Sequence, residues 1–439
     1  MTISPTRITV GELAVRFLEQ CGTRAAFGVI SIHNMPILDA LHTRGVIRFV
    51  SARGEAGACN MADACARVSG TLGVCVTSTG TGSGNAAGAM VEALTAGTPM
   101  LHLTGQIESP YLDRDLGYIH EHPAQLAMLK AVGKDAFRIR NPETALATLR
   151  EAVRIAQTPP CGPVSIEIPI DVQKMLLDLP ADLSPLMPAK AQPSPQAVDA
   201  LAKRLLQARR PLLWLGGGAR GAAGAAQRLV AMGWAVVTSV QGRGIVPEGH
   251  PQSLGSYNLQ KPAEDFYATV DAMLTVGSRL RSNETLSYKL RLPATHYRID
   301  ANLLAENRGY NSACFVHGDA ELTLHALADW WMPHSVPTWR SRMRWRKSPG
   351  RTSGGCATSR CRTACGATVR RCSTIRAQVC MRWAVALARA WRWRLARQLP
   401  TPRTNSAARP WRWSVTAVSC STWANSPARC RRMRTWSCC

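Results

Sequence analysis

Along the first 330 residues, apolar positions follow two alternating periods. Some short runs are apolar or small at nearly every position: "GVCVTS" (73–78), "MLHLTG" (100–105) and "PVSIEIP" (163–169). Between them lie longer stretches with apolar residues three and four apart. Runs of the first kind read as strands covered on both faces, and the others as helices packed over them. Thr9-Val10-Gly11-Glu12 has the form of a capping box, after which Leu13, Phe17, Leu18 and Cys21 share a helical face. A strand over 25–29, a helix over 35–42, the strand "VIRFV" (46–50) and a helix over 56–69 follow, with Gly70 placed to end that helix. The strand at 73–78 runs into the glycine-rich "TGTGSGN" (79–85), then a helix to 96. The strand at 100–105, a helix over 142–157 and the strand at 163–169 complete the series. Strand–helix alternation with two-sided apolar strands predicts an α/β fold built on a parallel sheet.

The Pro-rich "PADLSPLMPAKAQPSP" (180–195) reads as a linker. Beyond it the same alternation resumes, with strands in "RPLLWLGGG", "AVVTS", "AMLTVGS" and "HYRID" and helices over 194–207, 222–232 and 320–331. This predicts a second, Rossmann-like α/β domain at 195–331 after a first at 1–180. Gly216-Gly217-Gly218 after a strand is either a phosphate-binding turn or an ordinary turn, and the sequence leaves both open.

Composition changes the picture only after residue 331. The chain of 439 residues carries a formal charge of +25, but 23 of its 53 Lys and Arg lie from Arg340 onward. No Asp or Glu follows Asp329. Nine of the 15 cysteines and eight of the 13 tryptophans also lie in that last part, which follows neither the helix nor the strand period. The front is therefore nearly neutral, and nothing in it predicts a nucleic-acid partner. No apolar run reaches the ~18–20 residues of a membrane span. The start shows no basic segment followed by an apolar one, so a cytoplasmic location is expected. The six front cysteines, among them Cys59, Cys65 and Cys75, lack ligand spacing and read as small buried hydrophobes.

One carboxylate stands where chemistry is plausible. In "ARGEAGACNMADACARVSG", Glu55 falls between a strand and a helix N-terminus, with Gly54, Ala56 and Gly57 leaving room beside it. A glutamate there also complements the helix dipole without any further role. The turn at 79–85 offers backbone N–H groups at a helix start, which suit an anion. His33, His120 and Glu121 are polar residues in loops at element ends, where solvated side chains are equally at home.

Taken together, four stretches resemble a known family: "FGVISIHNMPILDAL", "RGEAGACNMADACARVSG", "GVCVTSTGTGSGNAAGAMVEALTAGTPMLHLTGQ" and "PPCGPVSIEIPIDV". In order and spacing they are similar to the pyrimidine-binding domain of thiamine-diphosphate enzymes, the group of acetolactate synthases, pyruvate oxidase and benzoylformate decarboxylase. The resemblance covers about residues 7–175, and the unit ending near 331 resembles the family's middle domain. It implies an enzyme acting on a small-molecule 2-oxo acid by decarboxylation or carboligation, acetolactate-synthase-like first and a benzoylformate- or oxalyl-type decarboxylase second. It implies thiamine diphosphate and Mg²⁺ as cofactors and a homodimer or homotetramer formed through the N-terminal domain. Glu55 then matches the catalytic glutamate that hydrogen-bonds the cofactor's aminopyrimidine and favours its imino tautomer. Thr81, Gly82 and Asn85 match the loop against the pyrimidine, with Thr81 where the family often has Pro. His33 and Asn34 match the loop facing the reacting carbon. His120 and Glu121 fall where many members carry Gln-Glu.

The family's third domain, which holds the diphosphate and Mg²⁺ through a Gly-Asp-Gly turn, has no counterpart in the written sequence; no metal ligand is assigned. "WRWSVTAVSCSTWANSP" (411–427), back-translated and read one nucleotide earlier, permits GDGGFMLNLGELA from the last base of Ser414. The same shift permits HALGGGIGAGMAMAL from 381–396 and VQENADLVLL from the final "RCRRMRTWSCC". Three ordered segments in one displaced frame point to a frameshift between about 331 and 351. Residues 332–439 are then a non-native tail, expected to be disordered or aggregation-prone, and the chain alone is expected to be inactive. A basic, Trp-rich tail that binds nucleic acid and a catalytically dead interaction module are the readings of another class.

Overall fold

The computed structural model describes residues 6–334. The expected non-native tail and its displaced-frame segments lie, from 335 onward, outside the described residues.

The chain opens with β1 (Arg7–Thr9) and α1 (Val10–Gln20). Thr9 Oγ1 accepts from Glu12 N at 3.1 Å, while the Glu12 carboxylate pairs with Arg16 four residues on. Strand–helix units follow: β2 (Ala25–Gly28), α2 (Met35–Arg44), β3 (Arg48–Ser51), α3 (Glu55–Ser69), β4 (Gly73–Thr77), α4 (Thr81–Ala96) and β5 (Met100–Gln106). Then come α5 (Gln125–Val132), β6 (Asp135–Arg138), α6 (Ala145–Gln157), β7 (Pro163–Pro169), α7 (Ile170–Lys174) and β8 (Leu176–Asp178). Strands β2 to β7 form one parallel sheet in the order β3-β2-β4-β5-β7-β6, and β1 pairs antiparallel with β8. Every residue of β4, β5 and β7 is buried. On one face, α1, α2 and α6 pack Leu13, Phe17, Ile37 and Leu149 over Val74, Val76, Leu101 and Ile166. On the other, Ala58 and Cys59 of α3 and Met90 of α4 meet Cys75 and Met100.

The second parallel sheet has five strands: β9 (Pro211–Leu215), β10 (Ala235–Thr238), β11 (Ala272–Val276), β12 (His296–Asp300) and β13 (Cys314–His317), in the order β10-β9-β11-β12-β13. Helices α8 (Pro195–Leu205), α9 (Ala223–Ala231) and α11 (Ala320–His334) cover one face. The short α10 (Lys261–Tyr267) covers the other. The fold is thus two parallel-sheet α/β regions, as the alternating periods imply.

Several elements differ from the sequence-based expectation. Strand β3 lies about two residues later than 46–50, and β6, β13, α5 and α10 were not foreseen. β3, β6 and β13 are sheet-edge strands. An edge strand meets one neighbour, and β6 and β13 each bury a single residue fully, so the continuous apolar run is missing. Residues 142–144 form a 3-10 turn ahead of α6, and α11 runs three residues past the expected end at 331. Cys59 and Cys75 are buried, whereas Cys21, Cys65, Cys161 and Cys314 are only half-buried; all six are free thiols.

Candidate functional site

In an open parallel sheet, ligands bind beyond the carboxyl ends of the strands where the strand order reverses. In the N-terminal sheet the chain steps from β2 outward to β3, then returns to place β4 on the opposite side of β2. The reversal lies between β2 and β4. The segments leaving those two ends are 29–34, with His33 and Asn34, and 78–85, with the glycine-rich turn. Glu55 starts α3, the helix entered from β3. Topology therefore brings three distant segments to one crevice.

There Asn85 Nδ2 donates to Glu55 Oε2 at 3.2 Å. Gly82 lies between: a Cβ on it would stand 3.2 Å from Glu55 Oε1 and 2.8 Å from Ser78 Cβ. The turn itself depends on Gly80, whose φ of +56° and ψ of −109° suit glycine alone. A Cβ on Gly80 would lie 2.1 Å from the carbonyl oxygen of His120, so the 111–121 loop packs directly on this backbone. Open space flanks Glu55 at Gly54 and Gly57, where an added Cβ would meet nothing within 4 Å.

The His33 and His120 rings approach to 5.7 Å. His33 is buried, and burial together with the neighbouring His120 lowers its pKa. Its Nδ1 lies 3.5 Å from Ser78 Oγ, which in turn is 2.7 Å from Ser31 Oγ. Glu121 Oε2 accepts from Tyr118 N at 2.9 Å, and its Oε1 is buried without a hydrogen-bond partner. Thr81 is exposed on the first turn of α4. Asn34 is placed differently from a residue that faces a ligand. It is fully buried, its Oδ1 accepting from Ser31 N and its Nδ2 donating to Val29 O, both at 3.0 Å. Its amide holds the loop that carries His33.

Beneath the turn lies a polar cluster with no sequence signature. Thr79, Ser83, Gln106, Gln125 and Glu167 are all buried, and Glu167 pairs with Arg138. Apolar periodicity reports which residues face the core, and a satisfied polar residue among them breaks the pattern without naming its partner.

A second crevice, of about 440 Å³, opens between the two α/β regions. It lies at the reversal of the central sheet, between the ends of β9 and β11, and Gly217, Gly218 and Gly277 line it. Arg298 is fully buried in its wall; Nη1 donates to the carbonyls of Ala305 and Arg308, while Nε and Nη2 make no hydrogen bond. Arg279 and Arg281 each donate from Nη1 to Thr95 O, at 3.1 and 3.2 Å, near the carboxyl end of α4 where a cation suits the helix dipole.

The described residues thus form two parallel-sheet regions, with a glutamate near the first sheet's reversal. The profile described as "Thiamine pyrophosphate enzyme, N-terminal TPP binding domain" matches residues 8–128, and that of the same family's central domain matches residues 198–327. The chain belongs to the thiamine pyrophosphate enzyme family. It is 33% identical over 327 residues to a probable 2-ketoarginine decarboxylase of Pseudomonas aeruginosa, covering 73% of this chain and 57% of that one. It is 29% identical over 329 residues to a probable acetolactate synthase large subunit of Methanocaldococcus jannaschii, covering 72% and 55%. It is 29% identical over 284 residues to the acetolactate synthase isozyme 1 large subunit of Escherichia coli, covering 63% and 50%. The chain thus spans about half the length of these relatives. No helix among the described residues is long and apolar enough to cross a membrane.

Proposed function

We propose that residues 1–180 form the pyrimidine-recognising domain, and 195–331 the central domain, of a thiamine-diphosphate enzyme acting on a small 2-oxo acid. The observation that carries this is the Glu55–Asn85 contact at the sheet reversal, with open space beside it. The pyrimidine end of the cofactor would fit there, against a half-exposed carboxylate, a flanking amide and glycines that allow close approach. Among the described residues no group of three or more His, Cys, Asp or Glu is placed to hold a metal ion.

The bound cofactor would supply an electron sink for breaking or making the carbon–carbon bond next to a 2-oxo acid's carbonyl. In this proposal Glu55 shares a proton with the ring nitrogen of the aminopyrimidine. Asn85, donating to Oε2, fixes the rotation of the carboxylate, and Gly82 keeps the approach free of side chain. His33 and His120, whose rings lie 5.7 Å apart, would face the reacting end of a bound substrate, and burial, which lowers the pKa of His33, favours its neutral ring. Relatives named as acetolactate synthases and as a decarboxylase support two substrate readings: carboligation of the acetolactate type first, simple decarboxylation second.

The exposed sides of α3 and α4 are built of small residues, Ala56, Gly57 and Asn60 on one and Gly84, Gly88 and Val91 on the other. This supports a close helix-to-helix dimer through the N-terminal region. Gly88→Arg should convert a dimer to a monomer in sedimentation.

The uniformly acid-free composition after Asp329 supports a frameshift near 331–351, with the chain as written unable to turn over substrate alone. Sequencing the gene across codons 325–355 tests the frame. Calorimetry with thiamine diphosphate and Mg²⁺ tests the site: saturable binding is expected for a frame-restored chain and not for this one. A frame-restored chain without thiamine-dependent turnover of any 2-oxo acid in a panel would overturn the functional reading.

A second reading concerns the interdomain crevice. Arg298, with Nε and Nη2 unpaired, and the Gly217–Gly218 backbone line the same crevice, which supports a phosphate-bearing nucleotide there. Arg298→Met should abolish any phosphate or nucleotide binding measured by calorimetry.

A further inference from the structure

The buried polar cluster beneath the Gly80 turn has no part in the proposed chemistry, yet several of its bonds reach the start of α4. Gln125, the first residue of α5, is fully buried. Its Oε1 lies 2.7 Å from Gly80 N, 2.7 Å from Ser83 Oγ and 2.9 Å from Thr79 Oγ1, so the turn's amide and two of its hydroxyls surround one oxygen, although Gly80 O and Gln106 Oε1 are also in reach of the Ser83 and Thr79 protons. Its Nε2 donates to Glu167 Oε2 at 2.9 Å. Glu167 is itself fully buried on β7 and takes the Arg138 guanidinium on its other oxygen. An ionised carboxylate only accepts, so the side of the Gln125 amide facing Glu167 must be the NH₂. Glu167 thereby aims the amide oxygen at the turn.

We propose that Gln125, oriented by Glu167, is a positioning residue for the Glu55 site: it pins the Gly80 turn, and through α4 sets where Asn85 meets Glu55. The consequence for catalysis rests on the functional reading above; the positioning itself does not. Gly80 sits in a backbone conformation that costs free energy for most residues and must be held by its surroundings. Gln125 supplies that hold from below, while the His120 carbonyl packs against the turn from outside. Gln125 joins the turn of β4–α4 to the ion pair linking β6 and β7, and Gln106, between Thr79 Oγ1 and Glu167 Oε2, makes a second and longer bridge.

The donor and acceptor roles make a specific test possible. In Gln125→Glu two carboxylates face each other, and exchange is read at about pH 8 or above, where keeping a shared proton between them costs most. In Glu167→Gln an amide faces both Gln125 and the Arg138 donors, and one contact must fail. In the double exchange, the carboxylate introduced at position 125 accepts from the turn and from the new amide at position 167, whose oxygen still accepts from Arg138. Hydrogen exchange is measured by mass spectrometry on the full chain without cofactor. Each single variant should speed exchange in 79–88 by about tenfold or more, since buried polar groups lose their partners. Exchange in α8 should stay unchanged, and the double exchange should return 79–88 towards the parent rate. Parent-like exchange in the single variants, acceleration spread evenly over the chain, or no recovery in the double variant would each overturn the proposal. Should the single variants not fold, the unaltered chain decides it: the Gly80 amide must exchange as slowly as the β4 amides, and exchange at the rate of an exposed loop amide refutes the bond to Gln125. Because no cofactor is present, failure here leaves the Glu55 reading standing, and failed cofactor binding leaves this one standing.

Discussion

Acid should loosen the N-terminal sheet through a single histidine. His102 is fully buried on β5. Its Nε2 is 2.8 Å from Thr77 Oγ1 on β4, and its Nδ1 is 3.0 Å from Ser165 Oγ on β7. Hydroxyl partners serve a neutral ring well and offer no charge to balance an imidazolium, so burial pushes the pKa down from 6.5 to about 4. The unfolded chain then binds the proton first as pH falls. Stability is complete above the ordinary histidine value, falls from about pH 6.5 to about pH 4, and levels off below that. A shift of this size corresponds to a loss of about 3 kcal/mol, with a slope of about 1.4 kcal/mol per pH unit inside the window. His102→Gln keeps polar contacts to both hydroxyls and removes the titration. Urea unfolding, with hydrogen exchange of the β4, β5 and β7 peptides as the local reporter, should show a difference in pH slope of about one proton between parent and variant. Equal slopes from about pH 6.5 to about pH 4.5, or a His102 ring resonance that titrates near 6.5, would refute the reasoning.

A related histidine sits in the central sheet, where His296 Nε2 is 2.8 Å from Thr275 Oγ1 and Nδ1 is 3.3 Å from Asn311 O, and burial, with Arg298 nearby, outweighs that carbonyl and lowers its pKa to about 4; tryptophan fluorescence from buried Trp214 and Trp234 should therefore report an acid transition that His296→Gln weakens. Gly80→Ala should cost about 3 kcal/mol or more, because the added Cβ meets the His120 carbonyl and the backbone conformation is unfavourable for alanine; an unchanged melting temperature would contradict the described turn. Glu55→Gln in a frame-restored chain should lower kcat by about 10²–10⁴ while leaving the melting temperature nearly unchanged, since the side chain is half-exposed and its Asn85 contact survives.

The covered strands were legible in the sequence because burial on both faces favours apolar or small residues at most positions. "GVCVTS" and "PVSIEIP" match β4 and β7 for this reason. β3, β6 and β13 were shifted or missed because an edge strand is constrained on one side only. The glycine-rich turn at 79–85 and the glutamate at position 55 could be singled out by local rules of turn and helix start. Their meeting could not, because a helix and a strand separate them and the strand order that joins β2 to β4 is not written in either segment. Asn34 shows the same limit from the other side: a polar residue beside His33 reads as a ligand contact, and tertiary structure spends both ends of its amide on its own loop. Gln125 and Glu167 are the clearest case. Each is an isolated polar residue without a spacing rule, and each acquires a role only where β4, α5 and β7 converge. Local sequence determined which residues enter helices and strands and where the chain turns. Only packing decided which polar groups share a proton, since that depends on distances of a few ångströms between segments far apart along the chain.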